Sequence, residues 1–241
     1  MGLQRFGGYI RTAYERCNRC GVPLRAIFGG FGTKPEKWPV IVTHLVIRGI
    51  DIHKTWLDRA AQQRVLDAVR GVIARAPLFR PETRYGKKMS VRMSAAGQYG
   101  WFSDRSGYRY VTTHPSGTAW PAIPDEILQI WDRLTGLARR PECCLINYYA
   151  ADARMSLHQD KDEADMQWPV VSVSLGDDGL FRIGNTTRGG KTESIWLQSG
   201  DVVRMGDDAR LTYHGVDRIR PGSSSLLPKG GRLNLTLRVV E

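Results

Sequence analysis

The chain has 241 residues and sets 35 Lys and Arg against 24 Asp and Glu, a formal charge of +11 that favours a polyanionic partner such as nucleic acid without establishing one. A hydrophobic fraction of 41% is enough to bury a core, so an intrinsically disordered protein is excluded and one structural domain is expected. No run reaches the eighteen or so apolar residues of a membrane span, the start lacks the apolar stretch of a signal peptide, and Phe6 stands where a myristoylation signal wants Ser or Thr. A cytoplasmic protein with no membrane partner is therefore expected.

Residues 1–40 are rich in Arg and Lys against only Glu15 and Glu36, and read as a basic, partly disordered appended arm. Cys17 and Cys20 have metal or redox spacing but lack a second pair, so two free thiols are expected in a reducing compartment. Thr55 and Asp58 resemble a capping pair, and Leu66, Val69 and Ile73 recur at helical spacing until Pro77 stops the pattern after about five turns. A second helix begins near Pro124 and Asp125, carries Ile127, Trp131 and Leu134 on one stripe, and ends around Gly136.

After Pro141 the period becomes two. Short runs at Leu145–Tyr149, Val170–Leu175, Leu180–Ile183, Ile195–Leu197, Val202–Met205 and Leu233–Val240 are separated by Gly and Asp clusters. The expected fold class is α+β, mainly β: a sandwich or jelly roll with two helices packed outside.

In Ser156-Leu157-His158-Gln159-Asp160 an extended chain would point His158 and Asp160 to one side, so an imidazole and a carboxylate could grip one ion. A third ligand would complete the two-histidine, one-carboxylate triad of non-haem iron(II) oxygenases. Of the remaining histidines His214 is the best placed, at the end of a late strand. Taken alone, the pair reads equally as a solvated turn or a structural hydrogen bond. Further along, Arg232, Asn234, Thr236 and Arg238 alternate strictly with Leu233, Leu235 and Leu237. That strand either shows its polar face to water or turns it into the jelly roll, where two guanidinium groups would hold a small dicarboxylate beside the metal, with Asn147 and Tyr149 adding donors.

Together Asn147-Tyr-Tyr149, Leu157-His-Gln-Asp-Lys-Asp-Glu163, Val171-Ser-Val-Ser-Leu-Gly176, Gly200-Asp-Val-Val203, Tyr213-His-Gly215 and Arg232-Leu-Asn-Leu-Thr-Leu-Arg238 resemble, in order and spacing, the AlkB family of DNA repair dioxygenases over roughly residues 80 to 241. The resemblance implies a double-stranded β-helix in which His158, Asp160 and His214 bind iron(II) and Asn147, Tyr149, Arg232, Asn234 and Arg238 hold 2-oxoglutarate, with O2 as co-substrate. It divides the chain into an outer helix with an N-terminal nucleotide-recognition lid over 41–120 and the jelly-roll core over 121–241, the two forming one unit after the arm. It further implies oxidative demethylation of bases such as 1-methyladenine and 3-methylcytosine in single-stranded DNA by a monomer, releasing formaldehyde and succinate. Trp101 and the His158 ring would sandwich the base, Asp162 would meet its exocyclic amine, Tyr108 the neighbouring backbone, Arg188 and Arg105 phosphates or the base edge, and Met89 and Met93 would ride on a flexible lid. An RNA or protein demethylase of the same chemistry, or a non-catalytic nucleic acid binding module, would share the basic charge.

Overall fold

The structure, a computed structural model, describes residues 43–241. The expected arm over 1–40 and the Cys17 and Cys20 pair lie outside the described residues. First come β1 (Thr43–Ile47) and β2 (Ile50–Lys54), then α1 (Arg59–Arg75), β3 (Arg92–Gly97), β4 (Gly100–Asp104), β5 (Gly107–Val111) and α2 (Asp125–Thr135). The second half holds β6 (Cys143–Tyr149), β7 (Met155–His158), β8 (Val170–Gly176), β9 (Asp178–Ile183), β10 (Glu193–Leu197), β11 (Val202–Met205), β12 (His214–Arg220) and β13 (Arg232–Arg238).

Both helices form near their signals, but Asp58 alone caps α1, while the Thr55 hydroxyl donates to the Lys54 carbonyl. The Asp58 carboxylate accepts from the Ala61 amide at 2.7 Å, capping α1, and Gly136 closes α2 in the left-handed conformation at φ +64°, which glycine adopts without strain. On α1 Ala61, Val65, Leu66, Val69 and Val72 recur every three or four residues and are buried, as are Ile127, Ile130 and Trp131 on α2.

The strands make the jelly roll that their alternation predicts. Seven form one sheet in the order β1-β2-β11-β8-β13-β6-β3, four form a second in the order β10-β9-β12-β7, and β4 pairs with β5 in a separate hairpin. Leu233, Leu235 and Leu237 of β13, with Val171, Val173 and Leu175 of β8, pack in one cluster with the buried faces of α1 and α2. This settles the open question about β13. Its leucines face the helices, so Arg232, Asn234, Thr236 and Arg238 face the space between the two sheets.

Five strands before residue 120 were not anticipated. β1, β2 and β3 extend the large sheet at both edges, and the small Ser94, Ala95, Ala96 and Gly97 of β3 leave little alternation to read. None of the described helices is long and apolar enough to cross a membrane.

Candidate active site

β7 and β12 are antiparallel neighbours with His158 directly opposite His214, their ring centroids 4.6 Å apart. The approach depends on Gly215, where a Cβ would lie 2.5 Å from the Met155 carbonyl oxygen. His214 begins β12 rather than ending a strand, and β7 stops at His158, so Asp160 lies two residues beyond the strand. Where the chain leaves the ladder, the Gln159 side-chain amide donates to the carbonyls of Thr186 (3.0 Å) and Leu211 (2.6 Å) and anchors the turn that ends at Asp160. Asp160 Oδ1 is 3.7 Å from His158 Nε2, Oδ2 is 3.8 Å from His214 Nε2, and one ligand atom from each residue fits within 4.8 Å of the others.

The two imidazoles are oriented in the same way. His158 Nδ1 donates to the Ser156 carbonyl at 2.9 Å and His214 Nδ1 to that of Thr212 at 3.0 Å, so in each neutral ring the lone pair lies on Nε2, the atom turned towards Asp160. Burial, helped by the nearby His158, pushes His214 down to about 4, which keeps it neutral and able to donate a lone pair. Burial alone would raise the Asp160 carboxyl, but the Arg238 guanidinium at 2.7 Å, with His214 and His158, holds it below the usual carboxylate range. Its Oδ2 is buried with no hydrogen-bond partner, as a metal-ligand oxygen would be.

The polar face of β13 continues the site. Tyr149 stands opposite Arg232 and Asn147 opposite Asn234 in the ladder with β6. Arg232 is only 1% exposed; it donates to Ser174 Oγ at 2.7 Å and to the Leu197 carbonyl at 3.3 Å, yet it pairs with no carboxylate among the described residues. Its Nε and the buried Asn147 Oδ1 have no partner. Asn234 donates to Ser172 Oγ at 2.6 Å and accepts from Thr236 at 3.1 Å. A buried cation without a counter-ion among the described residues fits a small acid such as 2-oxoglutarate, and Asn147, diagonally across the ladder from it, carries an amide oxygen that no donor meets.

Three further residues brace the metal loop and were not anticipated. Glu163 is buried, accepts from the Tyr110 hydroxyl at 2.5 Å, and meets Arg210 at 3.0 Å and Arg238 at 3.5 Å. Arg210 also donates to the carbonyls of Asp160 (2.5 Å) and Trp168 (2.8 Å), tying the segment before His214 to the segment after Asp160.

At the mouth, Trp101 of β4 stacks on Tyr108 of β5, centroids 5.4 Å apart at 23°, and donates through Nε1 to Asp162 at 2.8 Å. Tyr108 is half exposed, Asp162, Arg105 and Arg188 are exposed, and Met89 is half-buried against the cluster holding Trp101. Met93 does not ride on a lid. It is 1% exposed on the edge strand of the large sheet, paired opposite Asn147 where β3 runs along β6.

The sequence model of the 2OG-Fe(II) oxygenase superfamily matches residues 49–238. An alpha-ketoglutarate-dependent dioxygenase AlkB homolog of Caulobacter vibrioides is 51% identical over 194 residues, covering 80% of this chain and 88% of the relative. The DNA N(6)-methyladenine demethylase ALKBH1C of Arabidopsis thaliana is 31% identical over 227 residues, covering 80% of this chain and 49% of the relative. The solved structure of OsALKBH1 superposes with a TM-score of 0.66 at 30% identity, covering 80% of this chain and 98% of that one.

Proposed function

The chain belongs to the AlkB family within the 2OG-Fe(II) oxygenase superfamily, and from that premise we propose that it repairs single-stranded DNA by removing methyl groups from the Watson–Crick edge of bases such as 1-methyladenine and 3-methylcytosine. It is an iron(II) and 2-oxoglutarate dependent dioxygenase that demethylates alkylated nucleic acid, with O2 as co-substrate. Bound together, iron and 2-oxoglutarate would let O2 hydroxylate an N-methyl carbon, one oxygen atom going to that carbon and the other to succinate as CO2 leaves, after which the hydroxymethyl group departs as formaldehyde.

The observation that carries the assignment is the convergence of His158, Asp160 and His214, with both Nε2 lone pairs and an unpartnered Asp160 oxygen turned to one point. These three would hold the iron. Arg232, Asn147, Tyr149 and Asn234 would bind and orient 2-oxoglutarate, and Arg238 would fix Asp160 while it reaches the same cavity. Trp101, Tyr108, Asp162, Arg188 and the flank at Met89 and Met93 would receive the base. A base cationic from methylation suits this mouth, since an indole face and an exposed carboxylate are joined there by one hydrogen bond. Such a base pairs poorly, so flipping it out costs less. Residues 41–241 would act as one unit, as a cytoplasmic monomer.

Mass spectrometry of methylated DNA, RNA and peptide substrates incubated with iron-loaded protein tests the reading. Methyl loss should be fastest on single-stranded DNA, stop on chelation and return with iron(II). Asp160→Ala should reduce turnover by at least about a thousandfold, because two neutral imidazoles hold a divalent ion poorly without the carboxylate. Demethylation by Asp160→Ala at the wild-type rate would overturn the triad, and faster turnover of RNA or peptide would move the substrate.

A further inference from the structure

Outside the cavity, the small sheet carries a basic surface that neither iron nor 2-oxoglutarate uses. Phe181, Ile183, Ile195 and Leu197 pack inward, so their neighbours Leu180, Arg182 and Trp196 face outward on β9 and β10. On β12 the register shifts between Val216, opposite Phe181, and Ile219, opposite Gly179. That bulge sets two residues, Asp217 and Arg218, against Leu180 alone, and presents both on the outer side.

A cleft of about 510 Å³ opens at one end of this face. Three arginines line it, Arg154, Arg182 and Arg188, against a single acid, Asp217, which is occupied by its ion pair with Arg182. Arg154 and Arg188 are exposed and enter no ion pair among the described residues. Leu157 and Tyr213 also line the cleft, and they adjoin His158 and His214, so it sits directly behind the metal ligands. One pleat further along, Trp196 is half-buried beneath two guanidinium groups, Arg218 at 5.9 Å and Arg220 at 4.0 Å from its ring centre. Arg220 is held by Asp178 at 3.1 Å, whereas Arg218 is exposed without an acidic partner among the described residues.

We propose that the outer face of the small sheet is a track for single-stranded nucleic acid, along which the strand flanking the reacting base runs from the Arg188 cleft to the Trp196 platform with its phosphates on Arg154, Arg188 and Arg218. The occupant is polyanionic because the cations without partners outnumber the free acids, and single-stranded because the row from Arg182 to Arg220 follows one sheet surface rather than a groove-filling helix. Trp196 fixes the directions of the two arginines beside it and offers its remaining edge to a base. The track deepens the functional reading above and rests on it for the identity of the strand.

The test compares wild-type protein with Arg154→Ala/Arg218→Ala, two exposed positions that are not among the residues assigned above to iron, 2-oxoglutarate or the base. Binding of unmethylated oligothymidine of three, six and twelve nucleotides is followed by fluorescence anisotropy across a salt series, and turnover is measured on a 1-methyladenine trinucleotide. Wild-type affinity should rise with length. In the double variant the twelve-mer should bind on the order of tenfold more weakly at low salt, with a log affinity against log salt slope shallower by about 1.4, as expected when a single strand has two fewer phosphates neutralised. Trinucleotide turnover should be unchanged. A twelve-mer that binds the double variant with wild-type affinity and slope overturns the track. If the wild type shows the length effect and the variant loses it while neither demethylates the trinucleotide, the track stands and the repair reading falls.

Discussion

Arg232 and Arg238 sit at the two ends of one strand, both buried and both facing the cavity, yet their surroundings are opposite. Arg238 lies among Asp160, Glu163 and the Tyr110 hydroxyl; burial alone would lower it, but these neighbours hold it well above its ordinary value. Arg232 has only a serine hydroxyl and a backbone carbonyl for partners, and burial lowers it. The two therefore have different tasks. A buried charge that the fold itself neutralises belongs to the architecture of the metal loop, whereas one left without a counter-ion marks the place of an anionic ligand. The expectation gives both ends of β13 to 2-oxoglutarate, and the pairing marks Arg232 as the end whose charge the co-substrate would balance.

Breaking the Arg238 end should cost the most. Arg210→Met removes the partner of buried Glu163 and the donor to two buried carbonyls, so unfolding in urea should show a loss of about 3 to 5 kcal/mol at an unchanged slope. A loss below about 1 kcal/mol would mean that Tyr110 and Arg238 alone satisfy Glu163, and that the bracing is redundant. Arg232→Met should behave in the opposite way. With no ion pair to break, stability should change by no more than about 1 kcal/mol, while the KM for 2-oxoglutarate of the iron-loaded enzyme should rise roughly ten- to a hundredfold, the value of one charge-assisted contact of about 1.5 to 3 kcal/mol. Equal losses of stability in both variants would erase the distinction between the two ends.

The parts of this site legible in the sequence were those whose side chains are close along the chain or alternate on one strand. His158 and Asp160 are two residues apart, and β13 alternates without a break, so the ligand pair and the arginine face both show as local patterns. The same signal was present but unused in β8, where Ser172 and Ser174 alternate with Val171 and Val173 and accept from Asn234 and Arg232. Glu163 and Arg210 are 47 positions apart in a loop and at the edge of a short 3-10 turn, so no periodicity joins them, and their ion pair exists only once β7 and β12 are neighbours. Met93 departs from the expected lid for a related reason: a methionine suits a mobile lid or a packed strand equally, and only the β3–β6 register decides between them. The exposure of Arg218 likewise depends on a bulge, which one sequence does not reveal.

The smallest effect belongs to the mouth, where charge can be separated from shape. Asp162 is exposed and accepts from Trp101 Nε1 at 2.8 Å, a contact that Asp162→Asn keeps because the amide oxygen accepts in the same position. Stability should then move by less than about 0.5 kcal/mol, as for an ordinary surface change. If the carboxylate meets the positive charge of a methylated base, removing it should lower kcat/KM on 1-methyladenine by up to about fivefold, the most that an exposed ion pair of about 1 kcal/mol provides. On 3-methylthymine, which carries no charge, the variant should match the wild type. An equal fall on both lesions would show that Asp162 acts only by holding the Trp101 ring, and the mouth would then select its base by stacking alone.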